Sequence, residues 1–137
     1  MTIKIRQYLA GINDKRTSNA LRAIYDINNP VPSAVTQITN RSTGVTVTTL
    51  SGTITTINTS LAAEAAASFV VTCPGVAIGD VVVVAQQSGA VGVNTVVTVI
   101  AVAAGSFTLA VMNGNAAAGV AETGAILINY AVIKARV

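Results

Sequence analysis

The stretch Asp80–Val111, DVVVVAQQSGAVGVNTVVTVIAVAAGSFTLAV, constrains the fold more than any other part of the chain. It holds three β-branched runs, Val81–Val84, Val96–Val102 and Phe107–Val111. Val, Ile and Thr are stiff at χ1 and pack well on a pleated surface, so such runs favour strand over helix. Gly89 and Gly92 separate the first two runs. Ala104-Gly105-Ser106 separates the last two and reads as a tight hairpin. Strict alternation puts Val96, Thr98, Ile100 and Val102 on one face of the middle run and Val97, Val99, Ala101 and Ala103 on the other. A strand with one wet face alternates apolar with polar, and this one is apolar on both sides. It is therefore expected at the centre of an antiparallel sheet, with its second face against another sheet or another subunit.

Strand and turn signals extend that reading over the body. Further strands are expected at Val35–Thr39, Gly44–Thr48, Gly52–Asn58, Ala66–Thr72 and Ala125–Ala135, with those of the opening stretch at Asp80–Gln86, Asn94–Ala103 and Ser106–Met112. Pro74-Gly75 and Asn113-Gly114-Asn115 are turn clusters, and Leu61–Ala67 reads as a loop or a single turn. Eight strands separated by turns indicate an all-β sandwich, jelly roll or barrel, and the expectation is an antiparallel sandwich or jelly-roll-like body over 35–137. The last strand, with Ile126, Ile128, Val132 and Ile133, is expected to close the sheet, and Asn129 to be hydrogen-bonded or at a subunit contact.

Residues 1–34 read differently, as an extended N-terminal arm with a linker. Thr2–Leu9 alternates as a short strand or surface-laid arm, and Ser18–Asp26 places Leu21, Ile24 and Tyr25 at helical spacing behind Thr17 or Ser18. Asn28-Asn29-Pro30-Val31-Pro32-Ser33 breaks any regular element.

Charge separates the same two regions. Charged residues are 9% of the chain, against about 25% in ordinary soluble domains. Residues 1–41 carry six basic and two acidic side chains, whereas residues 42–133 carry only Glu64, Asp80 and Glu122. Lys134 and Arg136 close the chain. A monomer with so little charge and so many strand edges is prone to edge-to-edge association, so much of this surface is expected to be covered in an oligomer or larger assembly.

Catalytic chemistry finds no footing. The chain has no histidine and one cysteine, Cys73, so Ser/His/Asp and Cys/His nucleophiles, a zinc site and an internal disulfide cannot be assembled. Cys73 reads as a small buried hydrophobe. Asp80 follows Gly79, where it is expected to hold a turn, and Glu64 and Glu122 sit in Ala-rich loops as exposed solubilising charges. No phosphate-binding glycine motif occurs. The expectation is no enzyme and no cofactor. Lys15, Arg16 and Arg22 near Tyr8 and Tyr25 raise nucleic acid as a partner, but Asp14 and Asp26 dilute them and no reader motif accompanies them. An acidic protein surface or a neighbouring subunit is the expected partner. The longest apolar run, Val96–Ala104, is nine residues including Thr98, well short of the roughly 20 a membrane helix needs.

Ile38-Thr39-Asn40-Arg41-Ser42-Thr43-Gly44-Val45-Thr46-Val47, followed by Leu50-Ser51-Gly52-Thr53-Ile54, then Gly105-Ser106-Phe107-Thr108-Leu109 and Ala125–Ile133 with Lys134, resembles small structural proteins of tailed-phage particles that decorate the head or sit on its vertices. The resemblance spans roughly 36–134. It implies a β-sandwich body, commonly trimeric, and an arm that fixes it to the major capsid shell on the head surface of the virion. On that reading Ile3, Ile5, Leu9, Leu21, Ile24 and Tyr25 are apolar anchors, and Lys4, Arg6, Arg16 and Arg22 their charged companions. Val97, Val99, Ile100 and Val102 become the expected oligomer interface. The alternative is a tail, fibre or vertex-spike protein that contacts a host-surface receptor.

Overall fold

In the computed structural model of the chain, residues 30–135 are described, together with Asn19 and Ala20, which are helical. The arm strand expected over Thr2–Leu9, the rest of the helix expected over Ser18–Asp26, and all ten anchoring residues lie outside the described residues. The chain divides after Val31, and the second unit, Pro32–Val137, holds the body.

The body is all-β. Its eight strands are β1 (Ser33–Thr36), β2 (Val45–Thr46), β3 (Ser51–Thr55), β4 (Ala66–Thr72), β5 (Val81–Ser88), β6 (Thr95–Ala103), β7 (Ser106–Asn113) and β8 (Leu127–Ile133). They form two four-stranded sheets, in the orders β1-β3-β8-β5 and β2-β4-β7-β6. Two pairs, β1 with β3 and β2 with β4, run parallel, and the other pairs run antiparallel. The sheets face each other as a sandwich, and their inward residues interdigitate as one core. Ile54, Phe69, Val71, Phe107, Leu109 and Ile128 are buried at its centre. The Phe107 and Tyr130 rings meet across it at 5.6 Å with a 43° tilt. Each such side chain contributes about 1.5–3 kcal/mol relative to exposure.

Each of the eight strands overlaps the stretch expected for it, but β1 begins at Ser33, inside the expected linker, and ends at Thr36, the sheets are mixed where antiparallel ones were expected, and two strands take unexpected places in them. Strand β6 is an edge strand, and β4 and β7 occupy the middle of its sheet. Its double-sided apolar character has another cause. Between Val99 and Ala101 the register with β7 shifts, so Val97 pairs with Val111 and Val99 with Leu109, after which Ala101 pairs with Thr108 and Val102 with Phe107. The extra residue, Ile100, reverses the alternation. Val97, Val99 and Val102 thus share the inward face and pack on the core, while Val96, Ile100, Ala101 and Ala103 face outward. Strand β8, expected to close the sheet, instead lies inside it between β3 and β5. It is apolar because Ile128 and Tyr130 meet the core on one side while its neutral outer face carries Asn129, Ala131 and Ile133. Asn129 accepts a hydrogen bond from the Thr53 hydroxyl at 3.2 Å. The hairpin expected at Ala104–Ser106 is present, with Ala103 opposite Ser106 and Gly105 at φ 75°.

The bulge makes neighbouring positions unequal. Val99→Asp turns a short carboxylate toward the core from a half-buried position on the edge strand and is expected to cost about 2–3 kcal/mol. Ile100→Asp points outward and is expected to cost no more than about 1 kcal/mol. Urea unfolding of the two variants checks the contrast.

Candidate functional site

The body's charges are concentrated at its two ends. At one end gather the segments 37–44, 56–65, 89–94 and 114–126, held by a buried polar cluster. Arg41 is 4% exposed and Glu122 0%. The Arg41 guanidinium lies flat among oxygens. Its Nε donates to the Thr59 carbonyl at 2.6 Å, Nη1 to the Thr56 hydroxyl at 3.2 Å, and Nη2 to the carbonyls of Glu122 at 3.2 Å and Gly124 at 2.9 Å. The Glu122 carboxylate is cradled by donors. It accepts from the amides of Val91 at 3.0 Å, Gly92 at 2.9 Å and Gly124 at 2.7 Å, and from the Thr95 hydroxyl. Burial pushes this carboxyl upward, but the Thr95 hydroxyl and the three amides outweigh it and hold it at about 2. Burial also lowers the Arg41 value, a shift that the charge of Glu122 opposes.

Glu122, expected as an exposed solubilising charge, is therefore a structural anion, because its loop folds back to place it over three amides. Two amides support the same end. Gln37 Nε2 donates to the carbonyls of Arg41 at 3.2 Å and Thr43 at 2.8 Å, and Asn113 Nδ2 to those of Leu61 at 3.1 Å and Val120 at 3.0 Å. Loops closed in this way carry their hydrogen bonds internally, as buried backbone must.

The opposite end holds the second charged pair. Lys134 Nζ contacts the Asp80 carboxylate, which also accepts from the Ala77 amide at 2.8 Å and the Ala135 amide at 3.0 Å. Hydrogen bonding from Lys134, then from those two amides, lowers the Asp80 value to about 2. Asp80 holds its turn as expected and also ties down the end of β8. Nearby, the Tyr130 hydroxyl donates to the Thr49 carbonyl at 2.9 Å, and Cys73 is buried with its thiol pushed up by desolvation, which suppresses the reactive thiolate.

Every buried side-chain nitrogen and oxygen among the described residues has a hydrogen-bond partner. The polar groups inside the body are thus engaged in holding loops. Among the described residues no group of three or more His, Cys, Asp or Glu comes together that could hold a metal ion. No helix there is long and apolar enough to cross a membrane.

The remaining candidate surface is the outside of the sandwich. On the β2-β4-β7-β6 sheet the register lines up Ala66, Met112 and Val96 in one row, then Ser68, Ala110 and Thr98, then Val70, Thr108 and Ala101, then Thr72, Ser106 and Ala103. On the other sheet the rows are Ala34, Thr53, Asn129 and Ala85, then Ser51, Ala131 and Val83, then Ile133 with Val81. Neither outer face carries a charged side chain in these rows. Of the four residues expected at an oligomer interface, Val97, Val99 and Val102 are turned toward the opposite sheet and Ile100 alone is on the outside. Sequence reasoning passed over Arg41 and Glu122, although one signal was present: Arg41 is the only basic residue between Pro32 and Ile133. Compared with protein-family models, with curated proteins and with solved structures, the chain gives no match.

Proposed function

We propose that this chain is a structural protein of a tailed-phage particle, a decoration protein that binds the major capsid shell and stabilises it. One observation carries the reading furthest. The body has two wide, uncharged outer faces of Val, Thr, Ala and Ser, while its internal polar groups are consumed in fixing its loops. That division suits a protein whose work is to be covered by neighbours, since uncharged faces on a strand-rich body do little to oppose association. The sequence resemblance over 36–134 supports the same role, with the arm as anchor and a homo-oligomer, a trimer on the resemblance, as the bound form. In this mechanism each engaged arm adds to the others, and avidity replaces any single tight contact.

Particles lacking the protein are expected to release their DNA at lower temperature and to survive osmotic shock less well, with purified protein restoring both. Equal resistance with and without it defeats the proposal. The second reading, a tail, fibre or vertex-spike protein meeting a host receptor, is favoured by the exposure of Val93 (93%) and Val120 (66%) in segments that Asn94 and Asn115 hold together. A screen of host-surface glycans that captures the chain, with head stability unaffected by its loss, selects that reading.

A further inference from the structure

The sandwich is lopsided. On one side its edges are β1, four residues long, and β2, two residues long. Such short edges offer little backbone to another strand. On the other side the edges are β5 with eight residues and β6 with nine, and these two lie beside each other. Neither contains a proline or a charged residue. Natural proteins usually blunt a long edge with lysine, proline, a bulge or a covering loop. Here one bulge in β6 at Val99–Ala101 and one in β5 at Gln86–Ser88 leave the first five residues of β6 and the first six of β5 regular.

Within the strands, exposed large apolar side chains lie mainly on the long-edge side, with Val70 of β4 the exception. Val81 and Val83 of β5, Ile133 beside them on β8, Val96 and Ile100 of β6, and Met112 beside them on β7 are all 44–57% exposed. The outer faces of β1, β2 and β3 carry Ala34, Thr36, Thr46, Ser51, Thr53 and Thr55. Among the described residues, the first side is thus faced mainly by Thr and Ser, although exposed Val31 and Ile38 flank β1 in sequence, and the other is left with open backbone ladders and apolar flanks.

We infer that the paired β5 and β6 edges are a self-association surface, at which a second copy of this chain adds its own β5 and β6 edges and extends both sheets. The occupant follows from chemistry on the surface. An uncharged patch offers no complement to a basic or an acidic partner, whereas two adjacent strand edges call for two adjacent strand edges of similar length, and a second copy supplies them. Backbone hydrogen bonds provide the attraction, and the flanking valines and isoleucine lose water on both copies. The surface differs from a face-to-face contact through the sheet centres, and it holds whatever particle or partner the chain serves.

The test uses the full chain and sedimentation. Wild type is expected to run as a dimer or a larger multiple of 13.8 kDa. The double variant Val83→Lys/Thr98→Lys puts exposed lysines on the two long edges and is expected to weaken association about 100-fold, to monomer at micromolar concentration, by like-charge opposition. The control Thr36→Lys/Thr46→Lys adds the same charge to the two short edges and should leave the oligomer intact. Hydrogen exchange of the wild type adds a readout that needs no variant, since β5 and β6 edge amides should become protected as concentration rises. A monomeric wild type, an oligomer unaffected by the edge lysines, dissociation of both double variants alike, or edge amides indifferent to concentration each overturns the inference. Failure here leaves the head-stability experiment unaffected, and the converse also holds.

Discussion

Replacing Glu122 by alanine is expected to lower the stability of the body by about 3–5 kcal/mol, the range for stripping a buried charge cluster of one member. The loss has two parts. The amides of Val91, Gly92 and Gly124 and the Thr95 hydroxyl lose their acceptor inside the protein. Arg41 keeps its oxygen ligands but loses the nearby negative charge that opposes its desolvation. Glu122→Gln keeps the shape and offers one acceptor oxygen in place of two, so it should fall between wild type and alanine. Chemical unfolding at neutral pH measures all three. The same residue sets the acid response. Its folded value of about 2 lies below the ordinary 4.5, so its contribution is fully present above pH 4.5 and is lost as pH falls toward 2. For Glu122 the shift corresponds to stability on the order of 3 kcal/mol. Asp80, lowered to about 2 from 3.8, adds in the same direction over the lower part of that window. Stability should therefore be level from neutral pH to about 5 and fall steeply below, and Glu122→Ala should flatten part of that fall.

Gly124→Ala is expected to be at least as damaging, at about 4 kcal/mol or more. A Cβ there would lie 1.8 Å from the Gly89 carbonyl oxygen and 2.9 Å from Glu122 Oε1. Gly89 is its counterpart, at φ 88° and with its own Cβ position 2.0 Å from the Ala125 carbonyl oxygen. Two backbone segments, the end of β5 and the approach to β8, pass in contact at this point, and neither can yield without dragging a strand with it. Gly105→Ala makes the comparison. Gly105 also has a positive φ, but nothing lies within 4 Å of the added carbon. Its cost should be the conformational one alone, about 1–2 kcal/mol. Thermal or urea unfolding of the two variants separates collision from backbone preference.

The strands were legible because each is a β-branched or alternating run bounded by turn residues, and Ala66–Thr72 is reproduced to the residue. Sheet order was not. Nothing local in Thr95–Ala103 distinguishes a central strand from an edge whose outer face is neutral, and counting by twos across Ile100 assumes a pleat that the bulge interrupts. The two parallel pairs were equally hidden, since β1 and β2 reach their partners through loops that Gln37 ties to carbonyls of its own loop and Arg41 to carbonyls of Glu122 and Gly124, far along the chain. Glu122 was misread for a related reason. An acid among Ala and Gly has the composition of a solvated loop, and only its distant amide partners mark it as interior. The near absence of charge between residues 42 and 133 reappears as the neutral outer rows of both sheets, because composition needs no knowledge of register.

Strand β1 begins at the end of the sandwich that also holds the Asp80–Lys134 pair, and it runs parallel to β3. Its first residue is gripped by hydroxyls. The Ser33 amide donates to Thr49 Oγ1 at 2.8 Å, and its own Oγ accepts from the amides of Thr48 at 3.1 Å and Thr49 at 3.2 Å. The ladder bonds from β1 to β3 run across the strands. A pull on Pro32 along the strand axis therefore loads these bonds together, in shear, and a pull across the sheet opens them one by one. The body is mechanically anisotropic at the point where the preceding chain joins it, resistant in tension along the strands and weak to peeling.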